Sequence, residues 1–164
     1  MALQPSQYAA FSADVNADPA FTNLPHNSDG AFAIAAAYNT LASPNFTVWK
    51  TSVTVGEIGK TWLQSDVSGL TTANTNRLNV MEAYSGGFFN PSSADVRQAF
   101  ADIFSVAGAS GTRTALTALW KRLATRAEKL FANTTNGNGA DATPANLVYE
   151  GSITISDVLA AMGW

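Results

Sequence analysis

Cysteine is absent from this chain, and histidine occurs once, as His26. The first absence excludes disulfides, thiolate catalysis and zinc sites built on sulfur. The second excludes a histidine-rich metal site. Charge is scarce: 13% of residues are Asp, Glu, Lys or Arg, about half the usual share. The net charge of −3 argues against nucleic-acid binding by bulk attraction. No apolar run approaches the ~20 residues of a membrane helix. The first residues lack the basic start and apolar run of a signal peptide, so the expectation is a chain made and folded in the cytoplasm. Gly56-Glu57-Ile58-Gly59-Lys60-Thr61 has the wrong glycine spacing for a phosphate loop. Nucleophile elbows and metal-ligand clusters are missing too, so no enzyme, no cofactor and no metal are expected. Pairs such as Asp14/Asp18 and Asp102/Glu128 arise by chance among twelve acids.

What is present is an ordinary hydrophobic content of 46% in 164 residues, enough for one domain with a core. Ala, Thr, Asn and Ser fill the place of charge. The strongest periodic signal is Thr112 to Phe131, where Leu116, Leu119, Trp120, Leu123, Ala127, Leu130 and Phe131 recur at steps of three and four. That spacing, with neither Gly nor Pro inside, predicts one long amphipathic helix, roughly 30 Å in length. Its outer face carries Arg113, Lys121, Arg122, Arg126 and Lys129 against Glu128 alone. The helix would be +4 and the remainder, with four basic and eleven acidic residues, −7. Two readings stand: a solvated face, or a face that meets an acidic partner.

The rest of the chain reads as short helices. One starts at Pro5-Ser6 with Tyr8, Phe11 and Val15 on one side and stops at Asp18-Pro19. Phe21 and Leu24 read as anchors, and His26 as a surface or capping group in a Pro-His-Asn turn. A second helix, capped by Ser28-Asp29, runs from Gly30 to about Thr40 and is apolar nearly all round, with Phe32, Ile34, Tyr38 and Leu41 as core volume. Phe46 to Val53 is β-branched and aromatic, hence extended. It should pair with the C-terminal extended segment or lie flat on helices. One weak helical turn follows over Thr54–Lys60, then a polar loop over 62–69. A third helix reaches Tyr84, with Leu78, Met81 and Tyr84 inward, and Phe88-Phe89 plugs the core. Asn90-Pro91-Ser92-Ser93 starts a fourth helix, with Val96, Phe100, Ile103 and Phe104 inward and Arg97 and Asp102 outward. Gly108–Gly111 joins it to the long helix. Residues 133–144 read as a mobile linker or loop. Asn146–Glu150 reads as a strand, Ile153 and Ile155 as extended, and Ser156-Asp157 caps a last helix bearing Val158, Leu159, Met162 and Trp164.

The expected fold is therefore mainly α: a small bundle around the long helix at about 112–131, with extended segments at about 46–53 and 146–155 and a C-terminal arm. The expected division is a core over 1–132, a flexible linker or loop over 133–145 and an arm over 146–164. The arm docks either on its own domain or on a neighbouring subunit.

Five segments taken together carry a resemblance: NSDGAFAIAAAYN (27–39), FTVWKTSV (46–53), VRQAFADIFS (96–105), KRLATRAEKLFA (121–132) and YEGSITISDV (149–158). As a set they resemble small proteins encoded by tailed bacteriophages and prophages, across most of the chain from Asn27 onward. The resemblance transfers no catalytic residue. It implies a virion structural protein, most like a head–tail connector or adaptor that forms a ring below the portal. Implied partners are copies of itself, the portal protein and a downstream neck or tail protein, with DNA at most passing through a channel and no membrane. Another tail, neck-completion or head-decorating position is the first alternative, followed by a small enzyme or a DNA-binding regulator. On this reading the subunit interface uses the basic face (Arg113, Lys121, Arg122, Arg126, Lys129). It also uses an apolar arm (Val148, Tyr149, Ile153, Val158, Leu159, Met162, Trp164).

Overall fold

A computed structural model of the chain describes residues 2–105 and 110–164. The described elements, in order, are α1 (Pro5–Ala17), a 3-10 turn (Pro19–Phe21), α2 (Ser28–Tyr38), β1 (Thr47–Trp49) and β2 (Val53–Thr54). There follow α3 (Val55–Gly59), α4 (Gln64–Ser68), α5 (Thr72–Tyr84), β3 (Phe88–Phe89) and α6 (Ala94–Ile103). The last four are α7 (Ser110–Leu119), β4 (Lys121–Leu123), α8 (Arg126–Leu130) and α9 (Ile155–Met162), with an irregular stretch before α9. The protein is mostly helical, with two small two-stranded sheets, β1–β4 and β2–β3, among the described residues. They group into two compact units: Met1–Val48 with Leu123–Trp164, and Trp49–Arg122.

The long helix expected at 112–131 does not form. α7 ends at Leu119, β4 follows, and a new helix begins after Thr125. Two causes act together. Residues after Leu119 find backbone partners elsewhere: Lys50 N–H donates to Trp120 O at 2.8 Å, and Ala124 N–H donates to Phe46 O at 2.8 Å. Thr125 and Glu128 also form a reciprocal cap, with Glu128 N–H donating to Thr125 Oγ1 at 3.2 Å and Thr125 N–H to Glu128 Oε2 at 2.9 Å. Thr-x-x-Glu is a helix start signal. It lies inside the apolar periodicity and outweighs it. The connection expected at Gly108–Gly111 lies partly outside the described residues.

In unit 1, the first of the two, α9 packs on both α1 and α2. The core holds Phe11, Val15, Ile34, Tyr38, Tyr149, Ile153 and Val158, all at most 2% exposed. Asn27 caps α2, its Oδ1 accepting from Asp29 and Gly30 N–H, one residue ahead of the expected cap. Gly30 is required there, because a Cβ would lie 2.0 Å from Pro25 O. Phe32 and Leu41, expected inside, are exposed at 63% and 59%. An all-apolar helix gives no periodic sign of which side faces out.

The C-terminal segment docks within unit 1. Asn39 at the end of α2 grips Ile153 twice: its Nδ2 donates to Ile153 O at 2.9 Å and its Oδ1 accepts Ile153 N–H at 2.8 Å. Asp157 caps α9 together with Thr154 and also accepts Leu3 N–H at 3.0 Å. His26 stacks on Trp164, centroids 4.6 Å apart and rings 10° from parallel. Residues 133–144 form a loop tied back by backbone bonds. Thr47 N–H donates to Gly139 O at 2.7 Å, Ala145 N–H donates to Thr47 O at 3.0 Å, and Asn133 bridges Asn146. Asn146–Glu150 makes one isolated bridge, Asn146 to Asn133, rather than a strand. The small polar side chains satisfy backbone groups locally.

Unit 2 is one continuous stretch. Val53 pairs with Phe89 and Thr54 with Phe88 in antiparallel register. Ile58, Leu78, Phe89, Phe100, Ile103, Phe104, Leu116 and Trp120 form its core. The expected polar loop at 62–69 contains α4, tied to α7 by Thr112: its N–H donates to Asp66 Oδ2 at 2.8 Å and its Oγ1 accepts Leu63 N–H at 3.0 Å. Tyr84 and Phe88, expected inward, are exposed at 88% and 57%.

Candidate functional site

The five basic residues read as one helical face are divided. Arg113, Lys121 and Arg122 belong to unit 2, and Arg126 and Lys129 to unit 1. Breaking the helix at Trp120 removes the single face. Of the seven apolar interface candidates, Tyr149, Ile153 and Val158 are at most 2% exposed within unit 1, so they cannot touch a second copy. Leu159, Met162 and Trp164 are half-buried against the same core. Val148 alone of the seven is exposed, at 66%.

In unit 1, Arg126 is the hub of a polar cluster. It begins α8 and reaches α1 and α2. Its Nη1 donates to Asp18 Oδ2 at 2.7 Å and its Nη2 to Asp14 Oδ2 at 3.0 Å. Its guanidinium lies 4.3 Å from the Tyr38 ring centroid and 5.3 Å from that of Phe21. The Tyr38 hydroxyl donates to Asp14 Oδ2. Ala20 N–H and then Arg126 hold the Asp18 carboxyl below its ordinary range. Burial, then Asp14, pushes the Tyr38 phenol up. Burial opposes the charge on Arg126, but Asp18 and Asp14 more than offset it. A cavity of about 560 Å³ borders this cluster and includes Ala42, Ser43, Lys129 and Leu130. Its arginine is already matched by two carboxylates, so the cluster fastens helices rather than awaiting a ligand.

Unit 2 differs. A cavity of about 350 Å³ lies along α6 and α7, bordered by Ala94, Arg97, Gln98, Phe100, Ala101, Arg113, Leu116, Thr117 and Trp120. Pockets for small organic groups run from roughly 300 to 1,000 Å³. Two arginines line it, and no acidic residue does among the described residues. Arg97 was read from sequence as an outward surface residue. Instead it is half-buried, and burial lowers its pKa from the ordinary value. Its Nη1 donates to Pro91 O at 2.5 Å and Ser92 O at 3.0 Å, and its guanidinium stacks 4.3 Å from the Trp49 centroid. Arg113 is exposed, with no ion-pair partner among the described residues. Trp120 is 3% exposed, and its indole N–H has no acceptor among the described residues. Asp102, by contrast, pairs at the surface as expected, with Arg77 at 3.5 Å.

The arrangement is an apolar pocket rimmed by uncompensated positive charge. Chemically it suits an aromatic or aliphatic group carrying a carboxylate. Trp120 and Arg97 escaped sequence reasoning because their helix and face were misjudged. The run Asn90-Pro91-Ser92-Ser93 did mark the start of α6 beside the pocket.

No group of His, Asp or Glu placed to hold a metal ion occurs among the described residues. No described helix is long and apolar enough to cross a membrane. The molecule is thus a mostly helical two-unit protein with an arginine-lined pocket in unit 2. Compared with family models, curated proteins and solved structures, the chain matches none.

Proposed function

We propose that this protein is a structural component of a tailed-phage particle that joins copies of itself head to tail into a ring at the portal–tail junction. The observation that carries the reading is the unequal division of charge. Unit 1 has two Lys and Arg against seven Asp and Glu, net −5. Unit 2 has seven against five, net +2. Opposite net charges on two units of one chain favour contact between unit 1 of one copy and unit 2 of the next. Such a heterologous contact closes a ring when its rotation closes, and otherwise extends into a filament. The resemblance of the five segments supplies the particle, the portal and neck partners and the virion location. Low surface charge and exposed Tyr84, Phe88 and Val148 agree with a surface meant to be covered. On this reading the protein works by contact rather than by a reaction.

The test is the mass of the purified chain in solution against concentration and salt. A closed oligomer that loosens between low and high ionic strength is expected. A monomer at every concentration in low salt would overturn the reading.

A further inference from the structure

Two surfaces that lack partners within their own units have opposite chemistry. On α2, Asp29 and Phe32 stand three residues apart and so share one side of the helix. Both are exposed, Phe32 at 63%. Asp29 N–H goes to Asn27 Oδ1, while its carboxylate has no partner among the described residues. Ala36, one turn further, is also exposed. An exposed phenylalanine beside an unpaired carboxylate has no role in the packing of unit 1.

On unit 2, the α6–α7 pocket offers the converse. Phe100, Leu116 and Trp120 supply apolar lining, and Arg97 and Arg113 supply charge. Arg97 is held in place by Pro91 O, Ser92 O and the Trp49 ring, so binding would cost little further ordering. Arg113 has no carboxylate partner among the described residues.

We propose that Phe32 of one copy enters the α6–α7 pocket of the next copy, with Asp29 paired to Arg113 and Arg97. The inference rests on the head-to-tail reading above and gives that contact its two halves. The knob belongs to unit 1 and the hole to unit 2, so the contact is heterologous and every copy in a closed ring uses both.

The experiment uses full chains. Phe32→Ala removes the knob and Arg113→Glu spoils the hole. Each alone should weaken self-association roughly tenfold or more, measured by light scattering at low salt. An equimolar mixture of the two should regain one contact per pair, because each variant keeps the half that the other lacks. It should stop at dimers. That rescue also shows that both variants are folded. If the unaltered chain assembles but both variants assemble equally well, the docking is wrong and the ring reading survives. If the variants fail to associate and their mixture stays monomeric, the docking is likewise overturned. If the unaltered chain is itself monomeric at all concentrations, the ring reading falls and takes the docking with it.

Discussion

Unit 1 and unit 2 are held in different ways. Unit 1 is gathered from both parts of the chain by polar ties between residues far apart in sequence. Leu3 to Asp157 spans 154 positions, Asn39 to Ile153 114, and Arg126 to Asp14 112. Unit 2 is continuous, and its ties are shorter: Leu63 to Thr112 spans 49 positions and Asn74 to Ile103 29. Long loops cost closure entropy that rises only slowly with length, so a few good contacts suffice to hold unit 1 together. They must, however, all be present. Unit 1 also matches its arginine with carboxylates, whereas unit 2 leaves Arg113 unmatched at a pocket. The comparison separates a unit whose arginine is spent on its own carboxylates from one that keeps a cation available.

The largest expected effect attacks that difference directly. Removing residues 153–164 deletes Ile153 and Val158 from the core, each at most 2% exposed, and worth about 1.5–3 kcal/mol of burial apiece. It also strips Asn39 of both its bonds and Leu3 of its acceptor. The loss approaches the whole stability of a small domain, about 5–15 kcal/mol. Hydrogen exchange should show α1 and α2 unprotected while α5 and α6 keep their protection. Retained protection in α1 and α2 would mean that the C-terminal segment is an accessory after all.

Next in size is the contrast between two arginines. Arg126→Met in unit 1 leaves Asp14 and Asp18 without their cation and removes the ring contacts with Tyr38 and Phe21. Arg126 keeps 30% of its side-chain surface exposed, so the cost is below that of a fully buried pair, at about 2 kcal/mol. Arg113→Gln in unit 2 should cost less than about 0.5 kcal/mol, as surface changes generally do. Denaturant midpoints of the two variants measure this. Equal losses would erase the distinction between a fastening arginine and a spare one.

Much of this architecture was legible in the residues, and the misses share a cause. The first helix, the third and fourth, and the last were visible because start signals and apolar spacing agreed there, and the second because its apolar run lies between clear start and stop signals. From Thr112 to Phe131 they disagreed. The apolar spacing ran straight through, while Thr125-x-x-Glu128 announced a fresh start. Backbone pairing of residues 120–124 is decided by chain far away in sequence, around Phe46 and Lys50, which local pattern cannot report. Thr54-x-x-Glu57 and Thr154-x-x-Asp157 are reciprocal caps of the same kind, so this signal, read strictly, locates three helix starts. The unit 2 pocket was harder to foresee. Arg113 was singled out, but its neighbours Arg97 and Trp120 come together only once α6 and α7 are separate helices.

The smallest expected effect separates the units by acid. In unit 2, the N–H of Thr112, with its hydroxyl second, holds Asp66 below its ordinary value of 3.8. In unit 1, Ala20 N–H and Arg126 do the same for Asp18. A depressed folded-state value means that the unfolded chain binds more protons at acidic pH. The contribution of each carboxylate is therefore present above about pH 4 and lost as pH falls through the folded-state value. Asp66→Asn keeps an acceptor for Thr112 but removes the titration. Three of the four tryptophans, Trp49, Trp62 and Trp120, lie in unit 2, and Trp164 lies in unit 1. Acid titration followed by tryptophan fluorescence should therefore show a shallower unit 2 transition in the variant. Hydrogen exchange in α1 and α2 should keep its original acid dependence, because Asp18 is untouched. An unchanged fluorescence transition would place the acid sensitivity of unit 2 on Glu57, whose carboxyl is also held low, by Thr54 N–H and hydroxyl, rather than on the α4–α7 tie.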